Sequence, residues 1–254
     1  MLQRVLLCQK PAARALFSLM SIPRDPARPA AILLVLFLCG LGDMRNGNGA
    51  DTAKPAGTKP ESPAPPASAN TNAWKSLFDG KSLTGWKETD FAGHGPVVVK
   101  DNEIHLENGY MTGITWTNLA ELPRMNYELS LEAKRVEGSD FFCGLTFPVG
   151  KDPCSFIVGG WGGGVVGISS LDGQDASQNE TTKYMNFPNG RWFQVRVRVS
   201  PGKIEAWIDA EKMVDLATAG KEISIRLEVE PSKPLGVATW NTAAALRNLK
   251  LRRL

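Results

Sequence analysis

The sequence predicts an all-β fold over residues 73–254, a sandwich or jelly roll of two antiparallel sheets. Three observations predict it. Apolar and polar residues alternate with period two in several separate runs, which puts one set of side chains on each face of a strand. Clusters of Gly, Pro, Asn and Asp punctuate those runs at short intervals. No run carries the period of a long amphipathic helix, and Thr117 to Leu122 has room for one short turn only.

The runs follow in chain order. Tyr127 to Ala133 (YELSLEA) alternates apolar with polar residues. Phe193 to Val199 (FQVRVRV) does so more cleanly, with Phe193, Val195, Val197 and Val199 on one face and Gln194, Arg196 and Arg198 on the other. Ser200-Pro-Gly-Lys203 then turns the chain into Ile204-Glu-Ala-Trp-Ile208, a hairpin signature. Ile223 to Val229 (ISIRLEV) and Leu249 to Arg252 continue the pattern as two further strands. Strict alternation belongs to sheets with one buried and one wet face, the antiparallel condition. Many strands without helices favour a sandwich over a βα fold.

Residues 1–72 hold no packed-core pattern. Ala30 to Leu41 (AAILLVLFLCGL) is uncharged but short of the roughly 20 residues that span a bilayer, and it reads as the apolar region of a signal peptide. Arg24 and Arg28 precede it, and Gly40-Leu41-Gly42 supplies small residues before a cut at Asp43. The segment before the apolar run is long for a signal, so Met20 is the expected start. A lipoprotein signal through Cys39 would want a small residue where Leu38 stands. Residues 1–42 are thus expected to be a signal peptide or an uncleaved N-terminal anchor, and residues 43–72, rich in Pro, Ala, Ser and Thr, a linker. The expected location is periplasmic or extracellular, with membrane anchoring through residues 30–41 as the alternative.

The formal charge of +3 misleads. Residues 1–72 carry eight Lys/Arg against four acids, which leaves 21 basic and 22 acidic residues beyond them, a net of −1. A near-neutral domain lacks the electrostatic footprint of a nucleic-acid binder. Two histidines, His94 and His105, exclude a multi-histidine metal cage. Beyond the leader only Cys143 and Cys154 remain, with Pro148, Gly150, Lys151 and Asp152 between them reading as a turn. In an oxidising compartment the pair is expected to face across a hairpin as a disulfide; two buried, inert thiols are the other reading.

Two stretches at opposite ends carry a recognisable pattern: Trp74 to Trp86 (WKSLFDGKSLTGW) and Pro234 to Arg252 (PLGVATWNTAAALRNLKLR). Together they resemble the 3-keto-disaccharide hydrolase domain family, which is abundant in planctomycetes and related bacteria. The resemblance implies a concanavalin A-like lectin/glucanase jelly roll, an exported location, and hydrolysis or recognition of sugars. Members of that family carry an Asn-Ser-Gly signature on a central strand, followed by an aromatic-Glu-x-Gln strand. Here Ser139 to Thr146 and Ser155 to Gly164 occupy those places, with apolar residues and glycine instead of the Glu and Gln. The family's catalytic residues therefore do not carry over.

Several segments remain as candidate chemistry. Gly159-Gly-Trp-Gly-Gly-Gly164 sets Trp161 among glycines that admit a flat ligand; it reads as a sugar platform or as a bent strand with Trp161 in the core. It is no phosphate loop, because Val165-Val-Gly-Ile168 is strand-like rather than helical. The polar run Ser169 to Thr182 holds Asp172, Asp175 and Glu180, and Asp140 stands in a Gly-Ser-Asp corner. These four acids are the candidate catalytic residues, since glycosidases use two carboxylates. The polar run reads equally as a solvated loop, and its oxygens would suit Ca²⁺, although no cofactor is called for. Glu103, His105 and Glu107 share one face as a metal or acid/base site, or as the wet face of an edge strand. Trp240 and Asn241 near the C-terminal strands join Trp161 as candidate sugar contacts, while Trp74 and Trp86 are expected in the core. The expected partner is a saccharide, as substrate of a glycoside hydrolase of 3-keto-disaccharide type or as ligand of a non-catalytic carbohydrate-binding or envelope-interaction module.

Overall fold

The structure, a computed structural model, describes residues 72–254; the expected signal or anchor segment and nearly all of the expected linker lie outside the described residues. Fifteen strands follow in order. The first five are β1 (Lys75–Ser76), β2 (Trp86–Glu88), β3 (Val97–Lys100), β4 (Glu103–Leu106) and β5 (Met111–Trp116). Then come β6 (Tyr127–Gly138), β7 (Cys143–Val149), β8 (Asp152–Gly160), β9 (Val165–Ser169) and β10 (Lys183–Tyr184). The last five are β11 (Phe193–Ser200), β12 (Lys203–Ile208), β13 (Glu211–Ala217), β14 (Gly236–Trp240) and β15 (Thr242–Arg253). Among the described residues the only helical turns are two 3₁₀ segments, Leu119–Glu121, where a short turn was expected, and Leu227–Ser232.

The strands form two antiparallel sheets, the jelly-roll sandwich that the alternation predicts. One sheet has eight strands, in the order β13-β12-β11-β6-β15-β4-β3 with β1 paired to β15; the other has seven, β10-β9-β8-β7-β14-β5-β2. The opening and closing motifs meet in the first of these, where Lys75 faces Leu251 and Ser76 faces Lys250. Within the opening motif Trp86 is core as expected, edge-on to Trp116 at 5.1 Å and donating its indole N–H to the Leu77 carbonyl at 2.7 Å. Trp74 is not: it is exposed, with the guanidinium of Arg252 4.7 Å above its ring.

Between the sheets lies one large apolar core. Phe193, Val195, Val197 and Val199 of β11 and Leu129, Leu131 and Ala133 of β6 face Leu145, Phe147, Phe156, Val158 and Ile168 of the other sheet. The outward face of the eight-stranded sheet is polar. At its centre Glu128 is fully buried and takes hydrogen bonds from Arg196 (3.1 Å), Arg198 (2.6 Å) and Arg252 (2.5 Å). Burial by itself raises a carboxyl pKa, but the bonds from Arg198 and Arg252 outweigh it and hold Glu128 below its ordinary value. On the same face β4 lies between β15 and β3, so it is no edge strand; there Glu103 contacts both His105 and Lys134 at 3.3 Å.

Two further expectations are corrected. The expected hairpin β7–β8 forms, but its register sets Cys143 against Val158 and Cys154 against Phe147. The thiols are thus offset by four residues, about 13 Å along a strand, far beyond the reach of a disulfide. Both are free and buried, and burial pushes the Cys143 thiol up to about 12 and Cys154 further. The second correction concerns Ile223 to Val229, which is not a strand. After one bridge between Leu171 and Ile223 the segment leaves the sheet and coils into the 3₁₀ turn Leu227–Ser232, where Pro231 ends any ladder. Ile225 and Val229 pack down on the outer face of the seven-stranded sheet, against Phe91, Met111 and Ala238, while Leu227 between them is exposed, so the alternation marks no single buried face.

Two outcomes are expected. Glu128→Gln leaves three guanidinium groups without their shared carboxylate and should cost about 2–3 kcal/mol in denaturant unfolding, less than for a wholly buried pair because the arginines are partly exposed. Because the folded-state pKa of Glu128 is depressed, its contribution is complete above the unfolded-state value. It is lost as the pH falls below about 4, so the wild-type and Gln variants should converge in acid. Separately, Cys143 and Cys154 should not react with thiol reagents in native protein, denaturation should expose both, and reductant should leave Tm unchanged.

Candidate functional site

The outward face of the seven-stranded sheet is covered by the segment carrying Ile225 and Val229 and by the loop that follows β9, which packs Ala176 on Ile157 and Val165. The cover is incomplete. It leaves a cleft of about 240 Å³ whose floor is laid down by strand residues: Met111 of β5, Ser155 and Ile157 of β8, and Ser169 of β9. One wall is Asp140, Phe141 and Trp161; the other is Arg226, Glu228 and Val229. Trp240 at the end of β14 completes it, stacked 4.3 Å from Tyr110 and 6.4 Å from Phe141.

Trp161 is 42% exposed, at the tip of the turn between β8 and β9, so the reading that put it in the core is overturned. Two side chains fix that turn. Asp140 accepts the Gly162 N–H at 3.2 Å through Oδ2 and the Phe141 N–H at 2.7 Å through Oδ1. Arg135, only 5% exposed, reaches across from β6 and donates to the carbonyls of Gly159 (3.2 Å), Gly163 (2.9 Å) and Phe187 (3.1 Å). Burial lowers the pKa of that guanidinium, and Asp140 opposes the shift. The approach demands glycine: a Cβ on Gly159 would stand 2.6 Å from an Arg135 nitrogen, and Gly163 has φ +108°.

Across the cleft Arg226 joins two acids, donating to Glu228 at 2.7 Å and to Asp175 at 3.4 Å. The Arg226 hydrogen bond, with a backbone bond after it, holds the Glu228 carboxyl below its ordinary range. Glu228 is therefore ionised at neutral pH. That suits a base or a hydrogen-bond acceptor, not a proton donor.

Of the residues expected from sequence, the structure brings Asp140, Trp161 and Trp240 to one cleft. Asp175 touches it only through Arg226. Asp172 and Glu180 turn elsewhere, both onto Lys221 at 3.2 and 2.7 Å, and Asp172 also accepts the Glu222 N–H. The polar run after β9 is a built loop, since the Asn179 amide donates to the carbonyls of Ile168, Gln174 and Asp175. Asn241 is exposed in the turn between β14 and β15 at φ 43°, its N–H donating to the Tyr110 carbonyl. Among the described residues no three His, Cys, Asp or Glu side chains are grouped to hold a metal ion. Sequence reasoning missed Phe141, Ser155, Ser169, Arg226 and Glu228. The Glu230-Pro231 step, which no central strand tolerates, was the available signal for the last two.

A two-sheet jelly roll with an aromatic-walled cleft on one sheet defines a β sandwich of the lectin/glucanase class. More particularly, residues 73–252 match the 3-keto-alpha-glucoside-1,2-lyase-like domain, and the chain belongs to that family. No curated protein matches it. Among solved structures it is similar to a candidate glycosyl hydrolase from Parabacteroides distasonis, 17% identical, covering 71% of this chain and 94% of that one, with a TM-score of 0.45. It is also similar to the carbohydrate-binding module CBM66 from Bacillus subtilis, 10% identical, covering 68% and 98%, with a TM-score of 0.47. A third is the Crh5 transglycosylase in complex with NAG, 11% identical, covering 72% and 84%, with a TM-score of 0.48. Strand β8 gives the cleft Ser155 and Ile157.

Arg135→Met leaves buried carbonyls of Gly159, Gly163 and Phe187 without their donor. It should lower stability by about 2–4 kcal/mol in denaturant titration and speed amide exchange at Gly162 and Gly163.

Proposed function

We propose that this domain is an exported saccharide-binding module whose cleft takes one or two sugar rings against Trp161 and Trp240. The observation that carries this reading is Trp161, an exposed indole held out by a buried arginine and an aspartate. Holding a large apolar ring in water by fixed hydrogen bonds makes physical sense when something packs on it, and the C–H face of a sugar does so. The cleft is smaller than the roughly 300–1,000 Å³ of drug-sized pockets, which suits a short glycan segment or a chain end. Arg226, Glu228 and Asp140 add charged hydrogen-bonding groups for sugar hydroxyls at the rim.

Family membership favours a second reading, cleavage of a 3-keto-disaccharide. A ketone at C3 acidifies the C2 proton. A base can then remove that proton as C1=C2 forms and the C1–O bond breaks, the leaving alkoxide taking up a proton. Alternatively, water attacks C1 with general acid/base help. Of the acids expected from sequence only Asp140 lines the cleft, joined there by Glu228.

Tryptophan fluorescence and calorimetric titration with glucosides, trehalose and their 3-keto forms separates the two readings. Binding should weaken at least tenfold in Trp161→Ala with the fold intact. Equal affinity of that variant, or no binding by the wild type, sinks the platform. Release of glucose or 3-ketoglucose, slowed about 100-fold or more by Asp140→Asn or Glu228→Gln, would establish the second reading in place of a pure binding module. Asn at position 140 keeps one acceptor for the two N–H groups that Asp140 holds, so amide exchange at Gly162 is read beside activity to separate chemistry from loop order.

A further inference from the structure

Three hydroxyls stand side by side on three neighbouring strands beneath the cleft. Thr146 of β7 is directly opposite Ser155 of β8, and Ser155 is directly opposite Ser169 of β9. All three are almost wholly buried. The first two satisfy each other, Thr146 Oγ1 lying 2.9 Å from Ser155 Oγ. Ser169 is left over: its Oγ has no hydrogen-bond partner among the described residues, although the residue is only 1% exposed.

Unpartnered buried hydroxyls are uncommon in folded proteins and weaken them. Four such side-chain atoms occur among the described residues, in His105, Arg135, Ser169 and Ser232, and Ser169 alone of these lines the cleft. Around it the floor is apolar, with Ile157 and Met111, so a bond made there is shielded from water. Its strand neighbour gives no relief either: Ser155 Oγ pairs with Thr146, and no polar atom of the described residues lies within bonding reach of Ser169 Oγ.

We propose that Ser169 is a specificity-determining residue of the cleft. Its hydroxyl bonds an oxygen, hydroxyl or keto, on the edge of the sugar ring that packs on Trp161 and Trp240. This rests on the saccharide reading of the cleft and deepens it: the tryptophans supply sequence-tolerant packing, while Ser169 reads whether the ring carries an oxygen at one position. A site built around a hydrogen bond rejects the analogue that lacks the oxygen far more strongly than an apolar wall rejects an added group.

The test uses the full-length protein, Ser169→Ala, and four kinds of probe: methyl α-glucoside, trehalose, their 3-keto derivatives and the monodeoxy glucosides. The variant removes only the leftover hydroxyl, so without sugar its Tm should rise by about 2–4 °C. Its affinity for the best probe should fall about tenfold. One deoxy analogue should bind the wild type about tenfold more weakly than its parent and bind Ser169→Ala as well as that parent does. Wild-type protein that binds none of the probes overturns the saccharide reading, and this assignment with it. Wild-type binding with Ser169→Ala unchanged in both affinity and Tm overturns this assignment alone and leaves the cleft a saccharide site.

Discussion

The seven-stranded sheet is buried on both of its faces, and most of the molecule follows from that. One face meets the eight-stranded sheet across the main core, and the other carries a second apolar layer built from Phe91, Met111, Ile225, Val229 and Ala238. An antiparallel sheet usually keeps one side wet. Here the chain supplies its own lid after β13, and the cleft exists because the lid stops short of the strand ends near Trp161 and Trp240. Polar groups stranded beneath it must find partners or wait for one, which sets the states of Thr146, Ser155 and Ser169.

The glycine-rich turn depends on the same arrangement. Arg135 points inward from the eight-stranded sheet and crosses the sandwich to hold carbonyls of the other sheet's hairpin. An arginine in an interior is costly unless its N–H groups are occupied, and two of its three nitrogens are. The guanidinium therefore acts as a strut between the two layers. Asp140 clamps the same turn from the outside, so Trp161 is presented by a rigid hairpin instead of a loose loop.

Double burial also decides how much could be read from sequence. Strands of the eight-stranded sheet alternate because their outer face is wet; β11 reads buried, exposed, buried, half-buried along its length. Their positions and the hairpin at Ser200–Lys203 were legible for that reason. In β5, β7 and β9 every residue is buried, so no alternation marks them, and MTGITW or VVGIS gives no face to assign. The segment after Lys221 misled in the opposite way. It lies on a sheet, not within one, and its apolar Leu227 is left exposed. Of the site, the aromatic and acidic residues near glycines could be singled out by type, as Asp140, Trp161 and Trp240 were. Arg226, Glu228 and Ser169 could not, because what sets them apart is the surface they meet after folding. Cys143 and Cys154 show the limit of spacing arguments: the turn between them was legible, the register that separates them was not.

The last strand is also the hub of its sheet. β15 spans twelve residues and pairs with β6 on one side and with β4 and β1 on the other. Until β15 is in place, β6 and β4 have no neighbour to bridge them, and the sandwich cannot close around a complete interior. Assembly is thus dominated by long-range pairing, which makes folding slow.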